Sequence, residues 1–240
     1  METMDFIPKS KKFFLDLFFP KFCLNCGSKG SYLCEDCLST IEILEYQFCP
    51  GCQKRILNEK ICPSCRKLIK LDGLYFAASY QNNLVKQLIT KFKYEPFAKE
   101  LKDSLARLII THFQLCDKKE TDFNDFYLIA VPLEKKRLKW RGFNQSEEIA
   151  KELAGFLKIP LISDALYKIK QTPPQMELTA EARKENIKGA FLVKNKEKIG
   201  GRKILLVDEV YTTGSTMNEC ARVLKDAGAK EVWGVAVARE

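Results

Sequence analysis

Ile204-Leu205-Leu206-Val207-Asp208-Glu209-Val210-Tyr211-Thr212-Thr213-Gly214-Ser215-Thr216 is an apolar run that ends in two carboxylates and then in a loop of small residues. It reads as strand, acidic turn and phosphate loop. Beyond it Met217, Cys220, Ala221, Leu224 and Ala227 recur at helical spacing, and Gly228 closes the segment as a helix stop. The local order is therefore β, loop, α. A loop of Thr, Thr, Gly and Ser that opens a helix offers unpaired N–H groups and hydroxyls, and the helix dipole favours an anion there. Phosphate is the natural occupant. Two adjacent carboxylates would repel it directly, so they make sense only with Mg²⁺ or sugar hydroxyls in between. That combination describes a phosphorylated sugar, against the plainer alternative of a surface turn after a core strand. A generic nucleotide site also stands, although the loop lacks the Lys-Ser/Thr and second Gly of a Walker motif.

Working outward, 240 residues suffice for one substantial core plus a small module, so two domains are expected. Hydrophobic content of 46% and charged content of 30% describe a soluble globular chain. No segment approaches the roughly 20 apolar residues of a spanning helix. Glu2 and Asp5 ahead of Lys9, Lys11 and Lys12 give the wrong charge order for a signal peptide, and Asp16 interrupts the apolar run. A cytoplasmic protein is expected. Residues 10–22 set Phe13, Phe14, Leu17, Phe18 and Phe19 beside Lys11, Lys12 and Lys21. Such a stretch either lies on an acidic bilayer as a peripheral contact or packs on its own protein. Pro20 stops it after barely three turns, which favours packing.

Eight of the ten cysteines form four Cys-x-x-Cys pairs: Cys23 and Cys26, Cys34 and Cys37, Cys49 and Cys52, Cys62 and Cys65. Disulfides would need an oxidising compartment, whereas two knuckles supply the four thiolates of a tetrahedral Zn²⁺. Eight ligands make two zinc sites. Sequential pairing closes the shortest loops, with a cross-braced arrangement as the alternative. Gly27, Gly30, Pro50, Gly51 and Pro63 between the ligands are turn formers, so metal must stand in for a hydrophobic core. A four-thiolate zinc site carries a net −2, and two of them lower the formal +9 to about +5.

Leu71 to Tyr80 reads as a strand, Leu84, Leu88, Ile89 and Phe92 as one helix face, and a second helix runs from about Phe97 to Phe113 after Pro96. His112, the single histidine, falls among Leu108, Ile109 and Phe113 and reads as a core residue of that helix. Cys116 and Cys220 read as small buried residues. After a strand at Phe126 to Val131 comes Pro132-Leu133-Glu134-Lys135-Lys136-Arg137-Leu138-Lys139-Trp140-Arg141-Gly142-Phe143-Asn144-Gln145, five cations against one acid. Read as a loop leaving a strand, it suits pyrophosphate. Single-stranded nucleic acid, stacking on Trp140 and Phe143, is the rival ligand. A solvated basic loop is the plain reading.

The first motif resembles the phosphoribosyl-pyrophosphate motif of type I phosphoribosyltransferases. Together with Arg141 to Gln145, Gln175, Arg183, Asn186, the Gly189-Ala190-Phe191 end and the cysteine-rich front, it makes the whole chain resemble the ComF family, with its ComFC competence proteins and GntX-like proteins. The resemblance implies a double zinc ribbon followed by a type I phosphoribosyltransferase-like domain, linked to DNA uptake in some members. It further implies that Asp208 and Glu209 engage the ribose hydroxyls and that Tyr211, Thr212, Thr213, Gly214, Ser215 and Thr216 hold the 5′-phosphate. Val131, Pro132 and Leu133 fall at the pyrophosphate loop, often with a non-proline cis peptide. Family members more often carry two Asp where this chain has Asp208 and Glu209.

Asn144 to Leu157 fits a helix, Leu161 to Ile169 supplies a strand, Pro173-Pro174 breaks the pattern, Glu177 to Ile187 resumes it, and Glu231 to Arg239 is the final strand. Alternating strands and helices argue an α/β fold with a mainly parallel sheet and its ligand at the strand C-termini. The expected organisation is an N-terminal segment and double zinc ribbon over 1–70, then a phosphoribosyltransferase domain over 71–240. The expected activity is binding of phosphoribosyl pyrophosphate with Mg²⁺ and phosphoribosyl transfer to an unidentified acceptor. Lys135, Lys136, Arg137 and Arg141 would neutralise the leaving pyrophosphate. The alternative is a non-catalytic adaptor or ligand sensor in DNA uptake, contacting a helicase or recombination partner or single-stranded DNA.

Overall fold

The computed structural model describes residues 20–52, 54–56, 61–94, 98–171 and 185–240. Most of the amphipathic stretch at 10–22, Pro96 and Phe97, Pro173-Pro174, Gln175, Arg183 and most of the 177–187 helix lie outside the described residues. The chain packs as two compact units, Met1–Glu42 and Ile43–Glu240. Compactness thus divides it earlier than the expected residue 70, for a local reason. Leu44 N–H donates to Ala77 O at 2.8 Å, and Leu44, Phe48 and Ile69 pack against the core of the larger unit.

In the smaller unit, Cys23 N–H donates to Ser28 O at 2.8 Å and Gly27 N–H to Cys23 O at 2.9 Å, which curls the first knuckle. A short helix α1, Glu35–Ser39, follows Cys34 and buries Cys37.

The larger unit begins with the two-residue strands β1, Gln47–Phe48, and β2, Arg55–Ile56, an antiparallel pair. Its main sheet holds β3, Gly73–Ser79, β4, Phe126–Ala130, β7, Lys203–Tyr211, and β8, Glu231–Arg239, in the order β3-β8-β7-β4, every pair parallel. Such a sheet is covered on both faces, so its strands read as near-continuous apolar runs. In β8 every residue from Val232 to Ala238 is buried. Side chains of one parity, including Leu74, Phe76, Ile204, Leu206 and Val232, share a core with α6, Ser215–Asp226. The opposite face carries Tyr75, whose ring meets Phe113 edge-on at 5.1 Å and stacks on Trp233 at 5.6 Å. There α2, Asn83–Tyr94, α3, Leu101–Leu115, and α5, Gln145–Leu157, complete the layer. His112 is fully buried in α3. Gly234 lets α6 approach β8, because a Cβ there would stand 3.0 Å from Met217 Sδ.

Two expectations require correction. The basic stretch after β4 is not a loop: Lys135–Arg141 forms helix α4, stopped by Gly142 at φ 83°. The strand expected within Leu161 to Ile169 is short, β5, Leu166–Lys168. It pairs antiparallel with β6, Phe191–Val193, outside the parallel sheet, while Leu161 makes only an isolated bridge to Leu128.

Candidate functional site

The C-terminal ends of β4 and β7 open onto one cavity of about 530 Å³, within the size range of small-ligand sites. From β7 come Asp208, Glu209 and the turn into α6. From the segment after β4 come Pro132 and Leu133, and from α4 come Arg137 and Arg141. Lys135 and Lys136 are exposed and do not line it. Helix periodicity explains the split, since Arg137, Trp140 and Arg141, three and four residues apart, fall on the cavity side.

The acid pair is organised by a neighbour that the sequence reading missed. Ser146 Oγ lies 2.9 Å from Asp208 Oδ1 and 2.7 Å from Glu209 Oε2. A hydroxyl has one proton to donate, so one carboxyl must itself be protonated or lose that bond. Burial, then the charge of Glu209, pushes Asp208 well above the ordinary carboxylate range. Burial acts the same way on Glu209, but the Lys93 ammonium at 3.1 Å from Oε1 overrides it and holds this acid below its ordinary range. Lys93 itself is held ionised against burial by Glu209. The pair is therefore split, with Asp208 holding its proton more tightly than an ordinary carboxyl and Glu209 kept ionised against Lys93.

Ser146 reaches the acids because Asn144 fixes the start of α5. Asn144 accepts from Ser146 N–H at 3.2 Å and donates to Val131 O at 3.0 Å, tying the helix cap to the segment after β4. The backbone of Val131, Pro132 and Leu133 is trans throughout. Arg141 donates to Gln145 Oε1 at 3.1 Å, and its guanidinium lies 5.3 Å from the centre of the Tyr94 ring. Its Nε is buried without a hydrogen-bond partner among the described residues. Lys168, from β5, also lines the cavity; burial, then the charge of Arg137, lowers its pKa from the ordinary lysine value. A bound anion would relieve both.

The turn from β7 into α6 presents the open helix start that the sequence suggests. Gly214 takes φ 73° as the cap of α6, and no acid occupies the first turn, so the dipole there is uncompensated. Thr213 Oγ1 and Ser215 Oγ lie 2.9 Å apart, and Thr212, Gly214, Ser215 and Thr216 line the cavity. Tyr211 also borders the cavity, but it is buried and its hydroxyl donates to Pro50 O at 2.9 Å. One turn into α6, Glu219 accepts from Gly189 N–H at 2.8 Å and is paired with Arg222 at 2.7 Å.

The cysteines gather as sequential pairing predicts. Cys23, Cys26, Cys34 and Cys37 place their sulfurs within 4.8 Å of one another, as do Cys49, Cys52 and Cys62. Cys65 stands beside the second group, its Sγ 2.9 Å from where a Cβ on Gly51 would lie. Separations of 3.6 Å for Cys26–Cys34 and for Cys52–Cys62 match the edge of a tetrahedron with Zn–S bonds of about 2.3 Å. The donor set and spacing fit structural zinc in both places.

Comparison with known proteins agrees with both halves. Residues 14–66 match the double zinc ribbon domain, and residues 141–239 match the phosphoribosyl transferase domain. Competence protein F of Haemophilus influenzae is 31% identical over 230 residues, covering 86% of this chain and 97% of that protein. Competence protein ComFC of Streptococcus pneumoniae is 30% identical over 203 residues, covering 84% of this chain and 85% of that one. DNA utilization protein YhgH of Escherichia coli K12 is 34% identical over 145 residues, 56% of this chain and 59% of that protein.

Proposed function

The chain belongs to the ComF family of competence protein F and ComFC, and from that premise we propose that it binds phosphoribosyl pyrophosphate with Mg²⁺ and serves DNA uptake. The observation that carries this reading is the convergence of the acid pair, the Thr-Thr-Gly loop, Arg137 and Arg141 on one cavity at the strand ends. Residues 212–216 take the 5′-phosphate through backbone N–H groups and hydroxyls. Asp208 and Glu209 take the ribose hydroxyls. Arg137 and Arg141 take the pyrophosphate, for which the unpartnered Nε of Arg141 offers a donor already buried. Asp208 with the ligand's own phosphates is a donor set suited to Mg²⁺, which would offset pyrophosphate charge. Within the chain, residues 1–70 form the zinc-bearing part and 71–240 the ligand-binding part.

As an enzyme the protein displaces pyrophosphate from the ribose anomeric carbon in favour of an acceptor nucleophile. Positive charge develops on the sugar ring, and the ionised acid pair stabilises it, while Arg137 and Arg141 stabilise the leaving anion. The second reading is a ligand-sensing adaptor that contacts single-stranded DNA or a helicase. Lys135, Lys136 and Lys139 favour it, since they are exposed on α4 beside Trp140, which is 67% exposed. Pyrophosphate release separates the two. Purified protein with Mg²⁺ and phosphoribosyl pyrophosphate is offered a panel of bases and amines. Release that depends on one acceptor, and that Asp208→Asn abolishes, supports transfer. Ligand binding without release across the panel moves the assignment to the adaptor.

A further inference from the structure

Tyr211 ends β7 and immediately precedes the phosphate loop, yet it faces the second cysteine group. Its hydroxyl donates at 2.9 Å to the carbonyl of Pro50, which lies between Cys49 and Cys52. The same end of the ring supports the loop. A Cβ on Gly214 would stand 2.0 Å from the Tyr211 hydroxyl oxygen and 2.4 Å from Cζ, so the backbone at Gly214 rests directly on the phenol. A second tie lies just past the loop: Lys70 N–H, five residues beyond Cys65, donates to Asn218 Oδ1 at 2.6 Å in the first turn of α6. The second cysteine group therefore holds the loop at its entrance and at its exit.

Pro50 sits between two of the cysteines that would hold the second zinc. The surrounding strands β1 and β2 are two residues each, too short for independent stability, and Gly51 packs its backbone against Cys65. Apart from Cys49 N–H donating to Lys54 O at 2.9 Å and the Tyr211 hydroxyl on Pro50 O, zinc would be the main tie that defines the Cys49–Cys52 turn. A released turn withdraws the acceptor from a buried hydroxyl and frees the ring on which Gly214 rests.

We propose that Tyr211 is a positioning residue that couples zinc at the Cys49, Cys52, Cys62 and Cys65 site to the order of the phosphate loop at residues 212–216. Tyr211 borders the cavity, and its hydroxyl end is what ties the loop to the cysteine turn. Coupling free energy is reciprocal, so an occupant of the loop must also retain that zinc. This last step rests on the reading of the loop as a phosphate site.

Hydrogen exchange of the full-length, zinc-loaded protein tests the coupling without any ligand. Chelation is expected to speed exchange of the 212–216 amides at least about tenfold, while amides of β4 and of residues 205–207 stay protected. Tyr211→Phe, still holding two zinc ions, is expected to show that faster exchange before chelation and little change after it. Cys26→Ser with Cys34→Ser, which empties only the first site, is expected to leave the loop as in the wild type. Unchanged 212–216 exchange on chelating the wild type overturns the proposal without need of any variant, and so does faster exchange on emptying the first site alone. Zinc release to a chromophoric chelator supplies the ligand arm. Saturating Mg²⁺ and phosphoribosyl pyrophosphate are expected to slow one of the two zinc equivalents about tenfold in the wild type and not in Tyr211→Phe. A calorimetric blank with that ligand refutes the ligand assignment, whereas the exchange experiment still decides the coupling.

Discussion

Burial and Lys93 split the acid pair, because the Lys93 ammonium sits 3.1 Å from Glu209 while the single Ser146 hydroxyl proton is offered to both carboxyls at 2.9 and 2.7 Å. Asp208 therefore holds its proton the more tightly of the two, its pKa raised first by burial and then by Glu209. The sign of the consequence follows from linkage. Ionised Asp208 is disfavoured in the free protein, so its contribution to the free fold is full below the ordinary carboxylate pKa and is lost as pH rises through the raised value. A cation or sugar ligand that needs the ionised form must displace that proton. Affinity for Mg²⁺ and phosphoribosyl pyrophosphate should accordingly fall as pH drops through the raised value of Asp208, more steeply than the ligand's own titration explains. Titrations of wild type and Asp208→Asn across one pH series check this, and parallel profiles would contradict it. Asp208 and Glu209 were legible in the sequence because two acids at the end of an apolar strand are chemically conspicuous. Lys93, Ser146 and Lys168 were not, since each meets the site through tertiary placement from α2, α5 and β5. Only the position of Ser146, directly after Asn144-Gln145, hinted at a role.

Helix α4 shows the same limit one level up. Lys135–Arg141 carries good helix formers and a Gly142 stop. It lacks the apolar stripe that announces a helix, since Leu138 and Trp140 are both exposed. Charge without periodicity therefore reads as a loop, and the sequence alone assigns all four cations to one ligand. The helix sorts them, with Arg137 and Arg141 lining the cavity and Lys135 and Lys136 facing away. Replacing Arg137 and Arg141 by Ala should weaken phosphoribosyl pyrophosphate binding at least about tenfold, given roughly 1.5–3 kcal/mol for a hydrogen bond to a charged group. The same change at Lys135 and Lys136 should alter it less than about threefold, while lowering any single-strand affinity and its salt dependence. Equal losses from both variants would return the whole stretch to the pyrophosphate. The hairpin of β5 and β6 escaped for a different reason: its strands are three residues each, too short for a period to register.

Across the whole molecule, an α/β sheet that buries its own core is joined to cysteine groups that have little core of their own. The parallel strands and their ligand-bearing ends were readable because buried parallel strands are apolar runs and their turns carry the polar chemistry. The compact boundary near residue 42 was not readable, because β1 and its flanks join the larger core through scattered residues such as Leu44 and Phe48. Protein purified without chelator should contain two zinc ions per chain and no disulfide among the eight ribbon cysteines, and metal analysis returning one or none under reducing conditions would contradict the two-site arrangement. Zinc, however, is the scaffold, and the claim on which the functional account stands is the sugar-phosphate site. Calorimetric titration of phosphoribosyl pyrophosphate with Mg²⁺ into the wild type and into Asp208→Asn with Glu209→Gln tests it most directly. The account predicts saturable one-to-one binding that the variant weakens at least about tenfold, a loss of about 1.4 kcal/mol or more. Unchanged affinity in a folded variant, or no binding by the wild type, would contradict it.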